Sequence, residues 1–182
     1  MSNTGALATA KLTLRWMIQR DLPQVLRIER QAPALQWCQQ DFLAVFQSGD
    51  TAGWVAEVGD QVVGYLIYKA ITQPEPAEPE ALDSLGFAGQ AGGRPVLKPL
   101  RISLLNLAIA PEWRRHGIGR ALLAKLNQKL RQSEDYIQAT VPESNLPFQL
   151  LLRDAGYKAV SILRGYFGTE DAYLLRRQQI VC

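Results

Sequence analysis

The chain has 182 residues, 47% of them hydrophobic and 20% charged, the balance of a soluble globular protein with one sizeable core. No apolar stretch approaches the roughly 20 residues of a membrane-spanning helix, and Met1–Ala6 lacks the blocks of a secretory signal, so a single cytoplasmic domain over 1–182 is expected. The formal charge of +3 is mild, and no basic run is interleaved with aromatic residues, which excludes nucleic acid as the main partner and leaves room for a small anionic one.

In chain order, Leu12–Ile18 alternates apolar and polar residues and reads as a half-buried strand. Asp21 then stands as an N-cap, with Pro23 in the first turn of an amphipathic helix through Val25, Leu26, Ile28 and Glu29. A second helix starts near Trp37, carries Phe42, Val45 and Phe46 on one face, and closes at Ser48-Gly49-Asp50. Two strands, Gly53–Val58 and Gln61–Ile71, flank the hairpin turn Gly59-Asp60. From about 73 to 99 the chain is rich in proline and glycine and reads as a mobile insertion. Strand Leu100–Ile109 follows, then a glycine turn, a helix from Gly119 to about Arg131, and strand Tyr136–Val141. A helix over Pro147–Ala155 is stopped by Gly156, and strands Tyr157–Leu163 and Ala172–Arg176 close the chain. The order β-α-α-β-β-β-α-β-α-β-β predicts an α/β fold, a mixed sheet with helices on both faces.

The most informative stretch is Leu104–Leu123. An apolar run stops at Pro111, Arg114-Arg115-His116-Gly117-Ile118-Gly119-Arg120 follows, and a helix begins. Free backbone N–H groups, the positive end of a helix and cationic side chains then converge on one point, which suits a phosphate or pyrophosphate. A Walker loop is excluded because Gly119-Arg120-Ala121 stands where Gly-Lys-Ser/Thr is required. A dinucleotide fingerprint is excluded by Leu122, where a third Gly or Ala belongs.

What remains resembles the acetyl-coenzyme A loop of the GNAT superfamily of N-acetyltransferases, Gln/Arg-x-x-Gly-x-Gly/Ala, with Arg114, Gly117 and Gly119 on its fixed positions. The element order is similar to that family's fold over roughly Leu12–Arg176. The resemblance implies a mostly antiparallel sheet with a splayed central strand pair that admits the cofactor. It implies acetyl-CoA as co-substrate, with Arg114, Arg115, Gly117, Ile118, Gly119 and Arg120 at the pyrophosphate. It further implies that Leu107, Ala108 and Ile109 offer main-chain groups to the cofactor and the acetyl carbonyl. Asn145, between a strand and a helix, matches the asparagine that holds the pantetheine, and it also suits an N-cap.

Two segments resemble a subgroup, the RimI-like ribosomal-protein alanine N-terminal acetyltransferases. Glu29 and Trp37–Phe42 are similar to the start of their second helix, and Arg164–Tyr173 to the hairpin that borders the acceptor groove in N-terminal acetyltransferases. That hairpin gives Tyr166 a substrate-lining role, with Phe167 in place of a second tyrosine. Alignment to the RimI pattern puts Thr140 at the family's Glu and Leu152 at its Tyr. Neither performs acid–base chemistry, which leaves Glu143 and Tyr166 as substitutes.

An α-amine, with a pKa near ~7.8, is already neutral in about one molecule in seven at pH 7, against about one in 2,500 for lysine. An N-terminal amine therefore needs no strong base. The expected function is acetyl-CoA-dependent N-acetylation of a peptide or protein N-terminus. The alternatives are a small-amine acetyltransferase and a non-catalytic acyl-CoA-binding module. His116, the single histidine, lies in the glycine turn, and with only Cys38 and Cys182 no metal site is expected.

Overall fold

The computed structural model describes residues 11–32, 37–72 and 99–178. Apart from Pro99, the expected insertion at about 73–99 lies outside the described residues, as does Cys182. The elements follow the predicted order: β1 (Leu12–Trp16), α1 (Leu22–Glu29), α2 (Gln39–Gln47), β2 (Thr51–Val58), β3 (Gln61–Thr72), β4 (Leu100–Ile109), α3 (Ile118–Asn127), β5 (Tyr136–Pro142), α4 (Leu146–Asp154), β6 (Lys158–Phe167) and β7 (Glu170–Gln178). The seven strands form one sheet in the order β1-β2-β3-β4-β5-β7-β6. Only β4 and β5 run parallel; every other neighbouring pair is antiparallel.

Two apolar layers cover the two faces. On one, Ile118, Leu122, Leu123 and Leu126 of α3 and Leu152 of α4 pack with alternate residues of β2–β5. On the other, Val25 and Ile28 of α1 and Phe42 and Val45 of α2 pack with Val55, Tyr65 and Ile67. Phe46, expected on that buried face, lies in the last turn of α2 and stays 37% exposed. Asp21 precedes α1, but its side chain does not cap that helix. Its carboxylate accepts the Ile18 N–H at 2.9 Å and a fork from Arg15 at 2.7 and 2.9 Å, which fixes the turn between β1 and α1. Lys129, just past α3, sets its ammonium 5.2–5.5 Å from the rings of Trp16, Trp54 and Tyr68 and ties that end of the helix to β1–β3. Among the described residues no helix is long and apolar enough to cross a membrane.

Asp135 sets where β4 begins. It is buried, and its carboxylate accepts the Leu100 N–H at 2.7 Å and those of Arg131 and Gln132 at 2.8 and 3.1 Å. Burial pushes its pKa up, but the three main-chain donors outweigh that and hold it below the ordinary aspartate value. A depressed carboxylate stabilises the fold above its unfolded pKa, and that contribution is lost as pH falls through the folded value. Asp135→Asn should therefore cost about 1–3 kcal/mol at pH 7. In denaturant titrations the gap to wild type should shrink below pH 4; an equal gap at pH 7 and pH 3 would contradict this role.

Candidate active site

β4 leaves its parallel partner early. Its register with β5 runs from Arg101↔Tyr136 to Leu104↔Ala139, whereas β3 follows β4 to Ile109. Past Leu104 the two strands part, and a cavity of about 620 Å³ fills the opening. This is the splayed central pair that the family resemblance implies. A bulge coincides with it: the β3 ladder steps from Tyr68↔Leu104 to Ile67↔Asn106, leaving Leu105 without an opposite residue. Leu104, Leu107 and Ile109 face the α3–α4 layer, while Leu105 and Asn106 both turn to the α1–α2 side.

The bulge decides which backbone groups are free. The Ala110 N–H donates to the Val63 carbonyl at 2.9 Å, which fixes the alternation of the antiparallel ladder. Ala108, opposite Tyr65, directs its main chain to β3. Leu107 and Ile109 direct theirs into the opening, where Arg114 Nε takes the Ile109 carbonyl at 3.2 Å. Ala108 lines the cavity with its main chain already engaged in the sheet. Among the described residues, the main-chain donors that this end of β4 leaves free are thus Leu107 and Ile109.

The glycine turn stands beside the cavity. Arg114 lines it, and its guanidinium also donates to the Gln31 carbonyl at 3.2 Å, so this arginine clamps the end of β4 to the end of α1. Arg115 and Gly117 both adopt positive φ, 66° and 79°, the reason a glycine suits the second position. The turn starts α3 at Ile118, whose first N–H groups have no intrahelical acceptor. Gly119 lies where a Cβ would come 2.9 Å from Leu151 Cδ2 and 4.0 Å from Ile109 Cγ1, two residues of the cavity wall. Arg115, His116 and Arg120 are exposed. Arg120 reaches Asp154 at 3.8 Å across open surface, and His116 Nδ1 meets the Arg114 carbonyl at 2.8 Å.

α4 supplies another wall through Pro147, Phe148 and Leu151. Asn145 caps this helix, its Oδ1 accepting the Phe148 N–H at 3.3 Å, and it also lines the cavity. The β6–β7 hairpin contributes Phe167 and Glu170. Thr140 lines the cavity, whereas Leu152 is fully buried in the α3–α4 layer and faces away from it.

Neither candidate proton carrier is brought into the cavity wall. Glu143 is exposed, with its N–H on the Asp171 carbonyl at 3.0 Å. Tyr166 is 57% exposed, its ring edge-on to Phe167 at 5.0 Å, so it stands one ring back from the cavity. Among the wall residues to which the sequence analysis gives no role, two are polar groups with defined partners, Glu170 and Asn106. Glu170 accepts the Ser144 N–H at 2.7 Å, and bonding from Ser144 holds its carboxyl below the ordinary range. Asn106 is the one amide in the apolar run Leu104–Ala110, a signal the sequence did offer. Among the described residues no three His, Cys, Asp or Glu side chains converge as a metal site.

Comparison with known proteins agrees with this geometry. Residues 15–157 match the model of the acetyltransferase (GNAT) family. An N-alpha-acetyltransferase of Sulfurisphaera tokodaii is 28% identical over 160 residues, 85% of this chain and 86% of the relative. One from Saccharolobus solfataricus is 27% identical over 170 residues, 91% and 92% of the two chains. In fold, the ribosomal-protein-S18-alanine N-acetyltransferase of Escherichia coli superposes with a TM-score of 0.70 at 21% identity, covering 94% of this chain and 96% of that one. Arabidopsis thaliana NAA60, solved with acetyl-CoA, gives 0.71 at 18% identity over 93% and 100%.

The Gly119–Leu151 contact is open to a direct test. Gly119→Val should cost about 1–3 kcal/mol by overpacking, and part of that loss should return when Leu151 is shortened to Ala. Strictly additive losses in a double-variant denaturation cycle would show that the two residues do not touch.

Proposed function

The chain belongs to the GNAT family of acetyltransferases, and from that premise we propose that it transfers the acetyl group of acetyl-CoA to the α-amine of a peptide or protein N-terminus. The cofactor's thioester end fits the opening between β4 and β5. There the Leu107 and Ile109 N–H groups stand ready for the carbonyl oxygen as it gains charge. Arg115, Gly117, Ile118, Gly119 and Arg120 would receive the pyrophosphate at the start of α3. Arg114 would hold the turn in place, and Asn145 would meet the pantetheine arm from the cap of α4. Tyr166 would border the acceptor groove. Neither Tyr166 nor Glu143 is assigned a proton-transfer step.

One observation carries the choice of amine. Among the described residues, the only ionisable side chains on the cavity wall are Arg114 and Glu170. Arg114 is bonded to two carbonyls, and Glu170 is held acidic by Ser144, so neither is a strong base. A lysine amine needs one; an α-amine, neutral in a useful fraction near pH 7, does not. The neutral amine attacks the thioester carbon, the C–S bond breaks, and the extra proton passes to solvent. The leaving thiol, with a pKa of about 8.5, tolerates departure as thiolate. The names of the two curated relatives point the same way. A cytoplasmic setting fits the exposed Cys38, a free thiol among the described residues.

Release of coenzyme A should be followed over a panel of peptides, beginning with an alanine N-terminus, beside N-blocked lysine peptides and small amines. Free N-termini should be acetylated, and N-blocked lysine peptides should be inert. kcat/KM should rise with a single limb centred near pH 7.7–8.0, the ordinary range of an α-amine. That midpoint should move when a peptide of different amine pKa is used. A midpoint independent of the substrate, or preference for lysine or a small amine, would overturn the reading.

A further inference from the structure

Besides Asp21 and Asp135, which fix turns, one more buried carboxylate lies among the described residues. Glu29, at the end of α1, is 1% exposed and gathers three donors from three other segments. These are the Trp37 N–H at 2.8 Å, the Tyr65 hydroxyl from β3, and Asn106 Nδ2 from β4 at 3.2 Å. Burial, with the Glu29 charge beside it, pushes the Tyr65 hydroxyl well above its ordinary pKa, so it remains a donor. Of these four groups, only Asn106 belongs to the cavity wall.

A carboxylate accepts and does not donate. It therefore admits the Asn106 amide one way round, with Nδ2 toward Glu29 and Oδ1 away from it. Among the described residues nothing donates to Asn106 Oδ1. The bulge at Leu105 makes this possible. By the alternation of Ile102 and Leu104, Asn106 would face the α3–α4 layer; the extra residue turns it to the other side. The next residue along, Leu107, sends its N–H into the opening.

Given the amine acetylation proposed above, we propose that Asn106 Oδ1 receives an N–H of the attacking amine, with Glu29 as the positioning residue that fixes the amide's orientation. An acceptor on one N–H leaves the nitrogen lone pair directed at the thioester carbon. As the N–C bond forms, the nitrogen becomes positive and the carbonyl π pair moves onto oxygen, so the N–H···O bond strengthens on the way to the transition state; the oxyanion then re-forms the carbonyl and the C–S electron pair leaves with sulfur. When the C–S bond has broken, the surplus proton leaves the nitrogen for solvent. Asn106 holds the nucleophile and Leu107 the oxyanion, two neighbours on one strand turned apart by its bulge.

The test uses the full chain and whichever amine the wild type acetylates fastest, peptide or small molecule, so that a wrong acceptor class leaves it intact. Asn106→Ala should lower kcat/KM for the amine about 10- to 150-fold, the range expected for a hydrogen bond to a group gaining charge. Calorimetric affinity for acetyl-CoA should be unchanged. Glu29→Gln, whose own amide also donates, should release the Asn106 orientation and lower kcat/KM for the amine about 10-fold, again without a change in acetyl-CoA affinity. Tyr65→Phe removes a donor to Glu29 and the phenol oxygen that takes an Asn106 N–H, yet it leaves the Glu29–Asn106 bond that fixes which way round the amide lies, so kcat/KM should change less than 3-fold. An unchanged amine kcat/KM in Asn106→Ala would overturn the proposal. So would a Tyr65→Phe loss as large as that of Asn106→Ala, because the cluster's role would then be structural.

Discussion

The parting of β4 from β5 after Leu104 is the constraint on which everything at the site depends. A sheet strand ordinarily satisfies its main chain on both edges; β4 pairs with β3 from Leu100 to Ile109 except at the Leu105 bulge, and with β5 for only four residue pairs. The Leu107 and Ile109 groups left over face a cavity walled largely by Leu, Ile, Pro and Phe side chains. Unmet donors in such a setting interact strongly with charge that forms beside them. Asp135, just before β5, holds the start of β4 through the Leu100 N–H, and the missing Cβ at Gly119 leaves room for Leu151 on the cavity wall.

The two faces of the sheet divide the work. The α3–α4 side carries the larger apolar layer, and its helix starts supply orphan main-chain donors and the Asn145 cap. On the α1–α2 side, the apolar layer is interrupted by the Glu29, Tyr65 and Asn106 cluster. A buried polar cluster of this kind is costly unless every member is satisfied. Here Asn106, a residue of the cavity wall, has no donor to its Oδ1 among the described residues, and an incoming amine would supply one. A cofactor approaching from one face and an acceptor from the other would meet at the bulge.

Much of the fold was legible because it rests on local patterns. Alternation marked β1, glycine and aspartate marked the β2–β3 turn, and Asn145 with Pro147 marked the start of α4. The glycine turn was equally legible, since positive φ at Gly117 and close approach at Gly119 each restrict the residue type. The direction of side chains on β4 was not. Leu100–Leu104 alternates apolar and polar residues, but Leu104–Ile109 is apolar except at Asn106, so no period of two over that part shows on which side Asn106 lies. Nor did spacing along β6 indicate that Phe167 and not Tyr166 would face the cavity, because the β6–β7 register shifts between Leu163 and Phe167. The motif position of Arg114 points to a phosphate ligand; that its guanidinium also reaches the Gln31 carbonyl at the end of α1 is a long-range contact no local pattern encodes.

Amide hydrogen exchange followed by NMR tests the role of the opening most directly. Addition of acetyl-CoA should slow exchange at Leu107 and Ile109, whose N–H groups face the cavity. Ala108, already bonded within the β3 ladder, should keep the protection it has. Uniform slowing along β4, or none at Leu107 and Ile109 at saturating acetyl-CoA, would contradict the assignment of that opening as the place where the thioester binds.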